Sequence, residues 1–225
     1  MGHTTYGDFI RAQREQRGLS QQHIADELGV SRSTYLAIEK GTKELSLSEA
    51  EKLSRFFGIT IDELLQNQIP DIEKYKQMIH AFLRQDGRFT KTKLAKLLYF
   101  ADFAWFYKNL KSMSGMSYRK IKYGPVADAY FRVIDEMFDS GEINIENTDD
   151  GAMLISETRS GTKTRLSSIK VEEKKLIEKI AKKWGHKRTG EVVDFTHKQL
   201  PYMFAEENEI VSYEIFGQEN PDEIY

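Results

Sequence analysis

The chain has 225 residues, with 33 Lys and Arg against 35 Asp and Glu, a formal net charge of −2 and no cysteine. That length fits one large domain or two small ones, and the lack of cysteine removes disulfides, thiolate metal sites and cysteine nucleophiles. No apolar run reaches the ~18 residues needed to span a bilayer, and Met1-Gly2-His3-Thr4-Thr5 lacks the basic segment and apolar core of a signal peptide, so a cytoplasmic protein with no membrane association is expected.

The overall class is mainly α. Residues 1–67 predict a compact five-helix unit. Its first helix runs from about Tyr6 to Arg17, with Phe9, Ile10 and Ala12 to bury, and stops at Gly18. Ser20 caps the second, which carries Ile24, Ala25 and Leu28 on one face and ends at Gly29, where the turn needs a left-handed residue. Ser31 caps the third, which runs to Lys40 and ends at Gly41. Ser46-Leu47-Ser48-Glu49 is a capping box for the fourth, closed by Gly58, and Thr60-Ile61-Asp62-Glu63 is a box for the fifth, with Ile59 and Leu64 at staple positions. The polar run Gln66-Asn67-Gln68, broken by Pro70, marks a domain boundary.

Residues 71–225 predict a second, mostly helical domain with a small antiparallel β-sheet. It opens with a helix from about Ile72 to Arg84. A longer helix, about Thr92 to Tyr107, is apolar on most sides and belongs at a domain centre. Ser117 to Tyr123 reads as a short strand, and Gly124-Pro125 as the entry to a helix from about Val126 to Asp139. Two strands, 142–146 and 152–157, flank the turn Asp149-Asp150-Gly151. Helices follow at about Val171 to Trp184 and Thr189 to Leu200, and Ile210 to Ile215 reads as a last strand. Tyr202 to Tyr225 holds seven acidic residues and no Lys or Arg. Such a run is either a solvated tail, a surface for a basic protein partner, or a screen over the DNA site that a partner removes.

The second and third helices with the turn at Gly29 form a two-helix unit of the kind that enters the major groove. Small Ala25 lets the helices cross closely, and Val30 and Ile38 pack under the turn. Arg32, Ser33, Ala37 and Thr34 then face outward. Arg32 can grip guanine O6 and N7 with two hydrogen bonds. Gln21 and Gln22 open the second helix, whose free amides suit a phosphate, and Lys40 and Lys43 suit the backbone on the far side. The first 66 residues hold eight Lys and Arg against ten Asp and Glu. Attraction to DNA must therefore be local, around Arg32, Lys40, Lys43, Arg11 and Arg14. Two copies on a two-fold operator would double these few contacts, so a homodimer on a double-stranded DNA operator is expected.

Residues 20–41, from Ser20-Gln21-Gln22-His23-Ile24-Ala25 through Gly29-Val30-Ser31-Arg32-Ser33-Thr34 to Glu39-Lys40-Gly41, resemble the Cro/C1 repressor type of helix-turn-helix. The resemblance implies that Glu39 braces the domain internally. In the second domain, Lys96-Leu97-Leu98-Tyr99-Phe100-Ala101-Asp102, Ser114-Gly115-Met116-Ser117-Tyr118, Tyr123-Gly124-Pro125-Val126, Thr196-His197 and Pro201-Tyr202 together resemble the SocA-like (Panacea) antitoxin domain. That resemblance implies a domain that binds and neutralises a protein toxin and is not an enzyme.

No catalytic constellation, metal site or cofactor motif is expected. The histidines His3, His23, His80, His186 and His197 are scattered, and there is no His-Glu-x-x-His, phosphate-binding glycine loop or Gly-x-Ser-x-Gly. Nor is there an Ala-Gly or Cys-Gly pair for a self-cleaving repressor to cut. Asp102 lies inside an apolar helix and needs a partner if buried. Arg119, Tyr123 or His197 could serve, which makes Asp102, Tyr123 and His197 a candidate toxin-binding or structural polar cluster. The expectation is an antitoxin that represses its own promoter. A phage-type repressor whose second domain dimerises or senses a ligand, and a protease adaptor, are the alternatives.

Overall fold

The computed structural model describes residues 6–57, 61, 64, 70–149, 151–216 and 223–224. The chain divides into two compact units, Met1–Ile69 and Pro70–Tyr225.

In the first unit four helices are described: α1 (Tyr6–Gln16), α2 (Gln21–Leu28), α3 (Arg32–Glu39) and α4 (Leu47–Phe57). Of the capping box expected at 60–63 only Ile61 is among the described residues, and Gly58 and Ile59 lie outside them. Ile10, Ile24, Ala25, Tyr35, Ile38 and Leu53 form the heart of the core. Ala12 is exposed rather than buried; α1 instead turns Gln13 and Arg14 inward, because Arg14 reaches a buried carboxylate on α3. Gly7 allows α1 to sit on the end of α3, since a Cβ there would lie 2.5 Å from the Glu39 carbonyl oxygen and 2.6 Å from that of Ile38.

The second unit is built around one buried helix. Its elements are α5 (Ile72–Asp86), β1 (Arg88–Thr90), α6 (Lys91–Asn109), β2 (Tyr118–Arg119), β3 (Val126–Ala127), α7 (Tyr130–Asp139), β4 (Ile143–Asn147), β5 (Met153–Glu157), a 3-10 turn (Gly161–Lys163), α8 (Val171–Trp184), α9 (Thr189–His197), α10 (Leu200–Phe204) and α11 (Tyr213–Phe216). Every residue of α6 from Lys93 to Ala104 is buried, as its apolar circumference requires. The β4–β5 hairpin extends through β1 into a three-stranded antiparallel sheet, order β1-β5-β4, with Phe89 opposite Ile155 and Ile155 opposite Ile145. His80 on α5 pins this sheet, with Nδ1 2.6 Å from Glu157 and Nε2 3.0 Å from Glu142.

Several expectations need correction here. The strand at 117–123 shrinks to Tyr118–Arg119, which pairs with Val126–Ala127. Val126 is therefore extended, and the helix begins at Tyr130 instead. The helix from Thr189 ends at His197, and α10 restarts at Leu200 with Pro201 in its first turn, where no amide donor is needed. Strand β1 was not foreseen. Of the strand expected at 210–215 only the Ile210–Arg119 bridge forms. Tyr213 opens α11 instead, stacks on Phe103 at 4.1 Å and donates its hydroxyl to the Met116 carbonyl. The acid-rich end is not wholly solvated either: the Trp184 indole donates to the Ile224 carbonyl at 2.8 Å, and Ile224 is buried.

Candidate nucleic-acid interface and second-domain polar cluster

The two-helix unit is set by local chemistry. Ser20 accepts from the His23 amide and Ser31 from the Thr34 amide, and Gly29 at φ 73° returns its amide to the end of α2. The Lys52 ammonium also closes α2, donating to the Leu28 carbonyl at 2.8 Å. With Tyr35 and Ile38 buried, α3 presents Arg32 and Ser33 fully and Thr34 and Ala37 partly to solvent, followed by exposed Lys40.

A hydrogen-bonded chain runs from the core to this face. Arg14 Nε donates to Glu39 Oε1 at 2.6 Å, Gln21 Nε2 donates to Glu39 Oε2 at 3.1 Å, and Gln21 Oε1 accepts from Arg32 at 3.1 Å. The bond to Glu39 holds the Arg14 guanidinium above its usual pKa. Arg14 is thus a buried brace and not available to phosphate. Gln22 donates to Asp26, and exposed Arg11 pairs with Glu15 at 2.9 Å. Lys43 lies 2.9 Å from both oxygens of Glu49, the acid of the Ser46 capping box. Burial opposes ionisation of Glu49, but Lys43 and Ser46 outweigh it and hold the carboxyl below its usual range. Arg32 and Lys40 are thus exposed cations with no ion pair to a carboxylate among the described residues.

Asp102 is fully buried, and its partners are not those expected. It accepts from the Ser114 amide at 2.7 Å, from the Ser112 and Ser114 hydroxyls and from Tyr118 at 2.7 Å. Arg119 instead pairs with Asp128, Tyr123 is 57% exposed beside Lys122, and His197 stacks on Tyr202 with ring centroids 4.6 Å apart. The three residues do not make one cluster, because the serines of the 112–118 loop already supply the donors Asp102 needs.

A different cluster forms. Lys96, fully buried on α6, donates to the Pro125 carbonyl at 2.8 Å, and burial pushes its pKa down to about 7. Gly124 lies over it at φ 91°, where a Cβ would be 2.6 Å from Thr196 Oγ1 and 2.9 Å from Lys96 Cε. Burial first, and then the charges of Lys96 and Lys120, push the His197 imidazole below its usual pKa. Its Nε2, like Gln199 Oε1, is buried without a hydrogen-bond partner among the described residues. The Tyr202 hydroxyl donates to the Ile121 carbonyl, and the Lys120 ammonium lies over the Tyr202 ring at 4.6 Å. Segments around 96, 124, 196 and 202, far apart in sequence, thus meet at one place.

The family model for helix-turn-helix matches residues 10–64, and that for the antitoxin SocA-like, Panacea domain matches residues 94–201. The chain is 44% identical over 75 residues to the cryptic phage CTXphi transcriptional repressor RstR of Vibrio cholerae, covering 33% of this chain and 68% of the relative. The chain belongs to the helix-turn-helix family and carries a SocA-like Panacea domain. Over 55 residues it is 42% identical to an HTH-type transcriptional regulator of Methanocaldococcus jannaschii (24% of this chain, 83% of the relative), and over 64 residues 38% identical to the control protein C.MunI of a Mycoplasma species (28% and 81%). No solved structure matches the chain. Residues 96, 124 and 196 of that meeting place lie within the stretch that the Panacea model matches. Both families are regulators or antitoxins. Among the described residues no His, Asp or Glu cluster suits a metal ion, and no helix is long and apolar enough to cross a membrane.

Two roles escaped the sequence reading. Gln21 links the buried brace to Arg32, and Lys96 is a fully buried lysine of the second unit. Lys96 carried the same signal as Asp102, an ionisable residue inside an apolar helix, whereas nothing local announces the Gln21 bridge.

Proposed function

We propose that this protein is a cytoplasmic antitoxin that neutralises a protein toxin through its Panacea domain and represses its own promoter through α3. The observation that carries this reading is the presence, in one chain, of an open reading face on α3 and a SocA-like domain. As a homodimer on a two-fold operator, each copy would place Arg32 against a guanine, Ser33, Thr34 and Ala37 along the groove, and Lys40 on the backbone. Gln22 and the start of α2 would meet a phosphate, with Lys43 joining if it leaves Glu49. The Panacea face nearest the 96–124–196–202 meeting point, with exposed Tyr123, Met203 and Phe204, is the surface offered to the toxin, since exposed aromatics anchor protein interfaces. The test is co-expression with the small toxic reading frame beside the gene. The full chain should restore growth and co-purify with the toxin, and Tyr123→Ala should weaken both. A folded full chain that neither rescues nor retains any such product would refute neutralisation.

A second reading is a phage-type repressor whose second domain dimerises or senses a ligand; the similarity to a phage repressor of Vibrio cholerae supports it. It predicts operator binding that is unchanged by any neighbouring gene product.

A further inference from the structure

Helix α8 buries Leu176, Ile177, Ile180, Ala181 and Trp184 and turns Lys174, Lys175, Lys179 and Lys182 to solvent. Lys175, Lys179 and Lys182 recur at i, i+4 and i+7, so they share one side of the helix over roughly 10 Å. From Lys170 to Arg188 there are eight Lys and Arg against three Glu, and one of the three, Glu173, is buried and bonded to Lys74 at 2.6 Å. Two carboxylates, Glu172 and Glu178, remain exposed beside the lysines. Among the described residues Lys174, Lys175 and Lys182 have no carboxylate within ion-pair distance. Elsewhere in this unit Lys76 and Lys91 meet Glu136 and Asp135 at 3.2 and 3.6 Å. The exposed face of α8 has one apolar side chain, Val171, and no aromatic. It therefore lacks the apolar anchor on which protein interfaces depend.

The first unit has the opposite shortage. It is net acidic, and Arg14, Lys43 and Arg11 are held by Glu39, Glu49 and Glu15. Few of its cations can then neutralise phosphate. We propose that the lysine face of α8 is a second, sequence-independent DNA contact, which grips the sugar-phosphate backbone of duplex DNA. Lysine suits this task because it acts as a point charge and needs no fixed register, and duplex DNA offers a charge about every 1.7 Å of its axis. The inference rests on the DNA-binding half of the function proposed above.

The test compares the full chain with a Lys175→Gln, Lys179→Gln, Lys182→Gln triple variant. The probes are duplex DNA from upstream of the protein's own coding sequence and a scrambled duplex of equal length, titrated between about 50 and about 200 mM salt. Three lost phosphate contacts should flatten the plot of log affinity against log salt by about 2.7, so the parent loses about 40-fold more affinity across that range than the variant does. Preference for the upstream sequence should stay the same. A Glu172→Gln, Glu178→Gln variant should bind both duplexes more tightly, a gain that misfolding cannot produce. Equal slopes for parent and triple variant would overturn the proposal. So would loss of a protein partner by the triple variant with its DNA curves unmoved, which would assign the face to an acidic protein. If the parent prefers neither duplex but the triple variant still flattens the slope, the α8 contact stands and the operator reading of α3 fails.

Discussion

Glu39 in the first unit and Asp102 in the second are both buried carboxylates, and the chain stabilises them by opposite means. Glu39 faces a cation, Arg14, which leaves its second oxygen for Gln21 and through it Arg32. Among the described residues Asp102 faces neutral donors, two serine hydroxyls, an amide and a tyrosine. Burial pushes its carboxyl up and those bonds oppose the rise. All of its capacity goes to fastening the 112–118 loop to α6. A carboxylate compensated by charge can thus also organise a surface, whereas one compensated by a closed ring of neutral donors serves the interior alone. Function in the second unit is accordingly expected outside the Asp102 ring.

The largest expected effect tests the charged case. Arg14→Ala leaves Glu39 buried and unpaired, and denaturant unfolding should show a loss of about 3–5 kcal/mol. An Arg14→Met, Glu39→Leu pair should recover most of that stability, yet base discrimination should fall because Gln21 has lost its anchor. A loss below about 1 kcal/mol for Arg14→Ala would show that the ion pair does not brace the unit. Asp102→Ala should cost roughly 3 kcal/mol through stranded donors and leave operator affinity of the folded protein unchanged. A change in DNA binding there would break the contrast between the two carboxylates.

Arg32→Ala should weaken operator binding by about 1–3 kcal/mol, confined to one base position of each half-site; an equal loss on every sequence would contradict base reading. Lys43→Ala should weaken all sequences alike and by less, since its ammonium is shared with Glu49.

A pH dependence concerns Lys96, whose pKa of about 7 in the folded protein lies below its ordinary value. The unfolded chain then binds the proton more tightly, so stability rises with pH from about pH 7 until the ordinary lysine value of 10.5 is reached. Lys96→Met should flatten that rise in unfolding midpoints. An identical rise in the variant would show that Lys96 is not its source.

Much of the first unit was legible because its signals are local. A serine cap acts on an amide three residues on, so Ser20, Ser31 and Ser46 could be read directly. Arg32, Ser33, Thr34, Ala37 and Lys40 could be placed because a buried face implies its opposite. Ala12 misled because composition cannot weigh an apolar methyl against an ion pair formed 25 residues away. In the second unit the helices α6 and α8 announced themselves by their apolar faces. Strand β1 exists because Arg88 to Thr90 pair with β5 more than sixty residues later, and Val126 is extended because Tyr118 and Arg119 offer it an edge. Asp102 was recognised as needing partners, but which loop folds back over it is a question of topology.

The interlock of Gly124 with Lys96 and Thr196 has a consequence for reading related sequences. Because a side chain at 124 would enter the space those two occupy, enlarging one position requires shrinking another. The three are expected to vary as a matched set, so a relative that has a bulkier residue at one and is unaltered at the others should have a rearranged corner.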